Sequence, residues 1–257
     1  MPGPPESPIH DDLEQEAKRL LDEVVRRDLR MRLIGGMAIR LLAGDALHPA
    51  FHREIQDLDF IVARRHGREA ESLLEDAGYV GDERFNALNG ARRMLFVDPG
   101  HDRQIDIFVE TFEMCHSLPL AERLDVVPCT LPAAEVLMTK LQIVDLNAKD
   151  RADLYALLLS HDVDEVDEGF VNGRRIAELS SRDWGLQRTF ELNLERLRAG
   201  LDEQPLNDVE RAELTRRIEA LGELMEQAPK SRKWKLRARV GERKRWYEQP
   251  EEVDRAG

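Results

Sequence analysis

Two aspartates stand two residues apart in the segment QDLDFIV, Asp57 and Asp59, where a polar loop gives way to an apolar run. Side chains alternate faces along a strand, so both carboxylates leave the same side of it. Like charges that close repel, a bound divalent cation removes the repulsion, and hard oxygen ligands suit Mg²⁺ or Mn²⁺. A solvated strand end with no site is the other reading of the pair. A third acid, Asp106, lies in RQIDIFVE between Ile105 and Ile107. A carboxylate in so apolar a strand needs a partner. Either it joins the first two, giving the ligand set that two metal ions about 3.5–4 Å apart require, or it pairs with Arg103 or another arginine on an exposed face. Upstream, IGGMAIRLL sets Gly35 and Gly36 between a short apolar run and a helical one. Glycines let backbone N–H groups approach an anion closely, and the helix N-terminus that follows favours negative charge. The turn can cradle a triphosphate or serve only as a tight connection; it has neither Walker-loop nor dinucleotide-fingerprint spacing.

The elements that would position these groups follow from periodicity. Residues 11–29 carry apolar positions at Leu13, Ala17, Leu20, Leu21, Val24 and Val25, a helical spacing. Strands are predicted over 31–34 and 58–63, helices over 37–42 and 68–76, and an irregular piece around the breakers Asn86, Asn89 and Gly90. RRMLFVD and RQIDIFVET flank Pro99-Gly100 and read as a hairpin, with DVVPCTL a further strand-like piece. From residue 132 strand signals stop and helical ones continue. The fold class is therefore α+β with an all-helical C-terminal half. The division predicted is a disordered start at 1–10, an α+β domain at 11–131, a helical domain at 132–228 and a basic aromatic segment at 229–257. No repeat or low-complexity tract is readable.

A length of 257 residues with 42% hydrophobic content supports a real core. No apolar run is long enough to span a membrane and no signal peptide is readable, so a cytoplasmic protein is expected. Cys115 and Cys129 lack metal-ligand spacing and are expected as buried, unreactive thiols. The isolated histidines His48, His52, His66, His101, His116 and His161 show no zinc-site spacing.

In their order of strand, Gly-Gly, helix, acid-apolar-acid strand and later third acid, these segments resemble the polymerase β-like nucleotidyltransferase superfamily. The interval between the glycines and Asp57 is similar to that of the abortive-infection toxin nucleotidyltransferases (AbiEii type). An arginine often precedes the acid pair in that group, where Arg53 stands here, and Ile55 replaces the usual Thr. TKLQIV followed by KDRADLYALL is similar to the family's lysine-bearing helix and its Lys-Asp/Arg-Asp-x-x-Asp-Leu helix, which makes Lys140 the triphosphate contact. Lys149 and Asp150 either add to nucleotide binding or pair across helix turns. The match covers roughly residues 30 to 160. It implies a nucleotidyltransferase-fold mixed sheet with flanking helices, and transfer of a nucleoside monophosphate from a triphosphate to an acceptor hydroxyl with loss of pyrophosphate. In that scheme Asp57 and Asp59 ligate two Mg²⁺ or Mn²⁺ ions, Asp106 ligates one and helps deprotonate the hydroxyl, and Gly35, Gly36, Arg53 and Lys140 hold the nucleoside triphosphate. The acceptor is RNA or tRNA, a protein side chain or a small molecule such as an aminoglycoside. Two other classes stay open: an idle nucleotide- or partner-binding module of the same fold, and a component of a toxin-antitoxin or defence pair with a partner protein.

Net charge is −13, yet residues 229–257 carry ten Lys/Arg against five Asp/Glu, leaving about −18 on the rest. Trp234, Trp246 and Tyr247 are interleaved with this charge, a composition suited to RNA phosphates and stacked bases. The same residues suit a last helix packed on the acidic body.

Overall fold

Strand β1 (Met31–Ile34) pairs antiparallel with β2 (Leu58–Val62), and both are buried apolar runs. The computed structural model describes residues 9–249 of the chain, so the expected disordered start lies, for residues 1–8, outside the described residues. Ile9 and His10 are placed: Ile9 is buried and the His10 N–H donates to Glu16 at 3.1 Å. The chain divides into two compact units, one built from residues up to 38 with 54–112 and 119–131, the other from 39–53, 113–118 and 132 onward. The break at 131/132 matches the sequence reading, whereas 39–53 and 113–118 fold with the helical unit, and segment 229–249 belongs to that unit too.

The first unit is organised by a five-stranded mixed sheet of order β1-β2-β5-β4-β3, with β3 (Val80–Gly81), β4 (Arg93–Asp98) and β5 (Arg103–Val109). β2 and β5 run parallel; the other pairs are antiparallel. Helix α1 (Leu13–Arg26) starts where Asp12 accepts the Gln15 N–H at 2.7 Å and buries Ala17, Leu20, Leu21 and Val24 at helical spacing. Its one deeply buried acid, Glu16, is satisfied by Arg19 and by the Tyr79 hydroxyl at 2.8 Å. Helix α2 (Gly35–Ala43) leaves β1 directly, and α3 (Gly67–Asp76) follows β2.

Three expectations for this unit fail for local reasons. The piece predicted irregular is helix α4 (Glu83–Asn89): Asp82 caps it by accepting the Phe85 N–H at 2.8 Å, and Asn86 spends its amide on the Leu95 backbone. DVVPCTL is no strand beyond a bridge of Thr130 to Leu33, because Pro128 offers no N–H and Cys129 sits at φ +68°. Cys129 is exposed, not buried, while its carbonyl accepts the Leu33 N–H at 2.8 Å. Cys115 is buried as expected.

A two-stranded ribbon joins β6 (Thr111–Glu113) and β7 (Ser117–Pro119). The second unit packs α5 (Ala133–Leu141), α6 (Ala148–Ser160), α7 (Gly173–Ser180), α8 (Trp184–Ala199), α9 (Asp208–Gln227) and α10 (Arg232–Ala238). It is not wholly helical, since β8 (Asp162–Asp164) and β9 (Phe170–Asn172) pair in parallel; at three residues each they are too short for alternation to show. α9 opens with a capping box of Asn207 and Glu210. Among the described residues no helix is long and apolar enough to cross a membrane.

One histidine of this unit makes its stability pH-dependent. Burial pushes the His116 imidazole down to about 4, and the neutral ring accepts the Thr189 hydroxyl at 2.8 Å. The unfolded chain binds that proton near the ordinary value of 6.5. The contribution is therefore complete above about pH 6.5 and is lost as pH falls toward 4, at a full size on the order of 3 kcal/mol. Thermal melts from pH 7 to pH 4 are expected to show this decline, and His116→Gln to flatten it; a variant as acid-sensitive as the parent excludes His116 as the cause.

Candidate functional site

The register of the first unit's sheet sets Asp59 directly beside Asp106 on parallel neighbouring strands, with Ile34 of β1 on the other side. Adjacent strands lie about 4.8 Å apart, so the two carboxylates leave the same face side by side. Asp57 precedes β2 by one residue and shares that face; its Oδ1 accepts the Gln104 N–H at 3.2 Å. Asp106 is buried, and Asp57 and Asp59 are half-buried.

Gly35 fits against this face. It takes φ +67°, and a Cβ built on it would lie 2.1 Å from Asp59 Oδ2 and 2.9 Å from Asp59 Cγ. The glycine is thus required twice, for a left-handed turn and for the space the acid fills. Gly35→Ala is expected to cost about 1–2 kcal/mol from the backbone alone, before the collision with Asp59 is counted. Chemical denaturation measures it, and a midpoint equal to the parent's would exclude this geometry. Gly36 is buried in the first turn of α2.

Arg93 on β4 also reaches this face. Its Nε donates to Asp106 Oδ1 at 2.6 Å, while its guanidinium lies over the rings of Phe108, 5.0 Å from the centroid, and Phe85, at 5.8 Å. Gln104 adds a donor to Asp106 Oδ2 at 3.2 Å. In this arrangement no group of three His, Cys, Asp or Glu side chains among the described residues is gathered for a metal ion. The donor set nevertheless suits a hard divalent cation: facing carboxylates, a third on the same face, and a glycine turn packed against one of them. Arg93 is the residue that reading the sequence missed. Arg103, the named partner for Asp106, instead engages Asp98, its Nε at 3.0 Å and its Nη2 at 2.8 Å.

Arg53 and Lys140 fall in the second unit. Arg53 grips Asp153 with a two-pronged contact, Nε to Oδ1 and Nη2 to Oδ2, both at 2.7 Å, and its carbonyl accepts from Arg40. Lys140 Nζ lies 3.0 Å from Asp150 Oδ1 and 3.1 Å from Asp153 Oδ2. Asp150 and Asp153 are both buried, so these cations neutralise charges that would otherwise be costly inside the unit. Asp150 pairs with Lys140 on the preceding helix, and Lys149 is exposed. Asp153, three residues after Asp150 on one helix face, is the centre of this cluster; its spacing was readable, its partners were not.

No protein-family model matches this chain, and no curated protein matches it in sequence. Among solved structures it is similar to an antigenic nucleotidyltransferase-like protein from Paracoccidioides brasiliensis, at 12% sequence identity and a TM-score of 0.41 over 87% of this chain and 96% of that one.

Proposed function

We propose that this chain is a metal-dependent nucleotidyltransferase, moving a nucleoside monophosphate from a nucleoside triphosphate to an acceptor hydroxyl with release of pyrophosphate. The observation that carries the reading is the in-register placement of Asp59 beside Asp106, against the Gly35 turn. Asp57, Asp59 and Asp106 would hold Mg²⁺ or Mn²⁺, which when bound offsets the charge of the phosphates. The chain's own part is positional and acid–base. Asp106 accepts the proton of the attacking hydroxyl, whose oxygen forms the new bond to the α-phosphorus. The bond from that phosphorus to the bridging oxygen breaks, and its electron pair leaves with pyrophosphate. Gly35 and Gly36 leave room for phosphate oxygens at the start of α2. Arg53 and Lys140 contact phosphate only by sharing or releasing their carboxylates, and in the arrangement described they brace α5 and α6.

The ion pair of Arg93 with Asp106 favours a second reading, an idle module in which the arginine replaces the cation. One experiment separates the two. The protein is incubated with each labelled nucleoside triphosphate, Mg²⁺ or Mn²⁺, and RNA or cell extract. Label on RNA, on a small molecule or on the protein itself supports transfer; no label and no pyrophosphate with any nucleotide supports the idle module.

A further inference from the structure

All three tryptophans of the chain, Trp184, Trp234 and Trp246, line a single cavity of about 260 Å³ in the second unit, with Tyr247 beside them. Arg182, Lys233, Arg237 and Arg245 surround it, against the two carboxylates of Asp183 and Glu248. The segment that supplies most of this wall, 229–249, carries nine Lys/Arg and two Asp/Glu. It is seated on α8 and its surroundings. Trp234 Nε1–H donates to Gln187 at 3.0 Å, Trp246 Nε1–H to Thr189 at 3.1 Å, and the Glu248 N–H to the Cys115 carbonyl at 3.0 Å. Gly185 admits it: a Cβ there would lie 2.6 Å from the Trp246 carbonyl oxygen.

Seating explains the rings, and the cations need a further reason. Arg237 lies over Trp184 and Arg245 over Tyr247, each 4.7 Å from the ring centroid, so each presents a flat guanidinium backed by an aromatic ring. Such planes stack nucleobases, and surrounding Lys and Arg heads meet phosphates. Arg182, Lys233 and Arg245 are exposed and able to do so. A cavity of this size takes a base and its phosphate, not a duplex. Carboxylates in a phosphate site are unfavourable unless they accept a donor, and a ribose 2′-hydroxyl is such a donor.

We infer that this cavity docks single-stranded RNA, one base against a guanidinium–aromatic platform and the flanking phosphates on Arg182 and Lys233. The inference does not rest on nucleotide transfer, and its test contains neither triphosphate nor divalent metal. The full chain is titrated with a dye-labelled single-stranded RNA of about twelve nucleotides, with DNA of the same sequence and with the RNA duplex. Anisotropy and tryptophan emission are recorded together. No other tryptophan exists to confuse the second signal. The expected result is RNA binding accompanied by quenching, with DNA and duplex at least about tenfold weaker and log affinity falling with log salt. Arg182→Ala with Arg245→Ala is expected to lower that salt slope by about 1.4, or roughly 0.7 per lost phosphate contact. Gly185→Ala, which unseats Trp246 but keeps every cation, is expected to weaken binding about tenfold or more; circular dichroism establishes that it folds, and the arginine pair tests the site if it does not. RNA binding without quenching, parental affinity and slope in the arginine variant, or equal affinity for DNA or duplex each overturns the assignment.

Discussion

Asp59→Ala is expected to lower Mg²⁺-dependent nucleotide transfer by roughly 10³-fold while leaving stability within about 1 kcal/mol of the parent. The asymmetry follows from the register. Asp59 and Asp106 face each other as like charges, so removing one relieves repulsion in the metal-free protein, and the space vacated lies against a glycine. The same carboxylate is irreplaceable as a metal ligand, since alanine offers no oxygen. Asp57→Ala is expected to behave similarly, and the double variant to lose little more than either single one, because groups that hold one ion act together. Transfer assays against each triphosphate, paired with thermal melts, measure both halves. A variant that keeps the parental rate removes Asp59 from the machinery.

Arg93→Met is expected to destabilise the metal-free protein by about 3 kcal/mol, the low end for a broken buried ion pair. Asp106 is only 8% exposed, and its carboxylate then loses the closest cation given for it, 2.6 Å away. The informative part is what Mg²⁺ or Mn²⁺ does next. If the site takes a cation, the ion replaces the missing charge and the melting temperature of Arg93→Met rises with added metal more than that of the parent, by mass action. This readout requires no turnover. A variant that metal fails to rescue points to the idle module, in which Arg93 is a permanent structural counter-ion.

The acids themselves were legible because each lies in a short apolar run whose period-two pattern announces a strand, and because Asp57 and Asp59 differ by two positions. What the sequence cannot express is that β2 and β5 become parallel neighbours with Asp59 opposite Asp106, since that depends on a crossover through the intervening helices and hairpin. The partner of Asp106 was half legible. Arg103 differs from it by three positions and so faces the other way, whereas the hairpin pairs Arg93 with Phe108, two residues from the acid and on its face. The cluster of Arg53, Lys140, Asp150 and Asp153 illustrates the opposite case: the helical spacing of the two acids is local, but the arginine comes from a loop 100 positions earlier in the chain. Local capping decided α4, and a proline and a left-handed cysteine decided against a strand at 125–131, both below the resolution of a periodicity argument.

The interlock of Gly35 with Asp59 constrains how this surface can change over generations. Because the carboxylate occupies the volume where a side chain at 35 would begin, the two positions cannot drift independently. A lineage abandoning the chemistry must shed the acid first, and only afterwards can residue 35 acquire a methyl group at the cost of backbone strain alone. Any natural variant bearing alanine at 35 is therefore expected to have already lost the aspartate opposite it, which makes a single glycine a record of whether the acid has been kept.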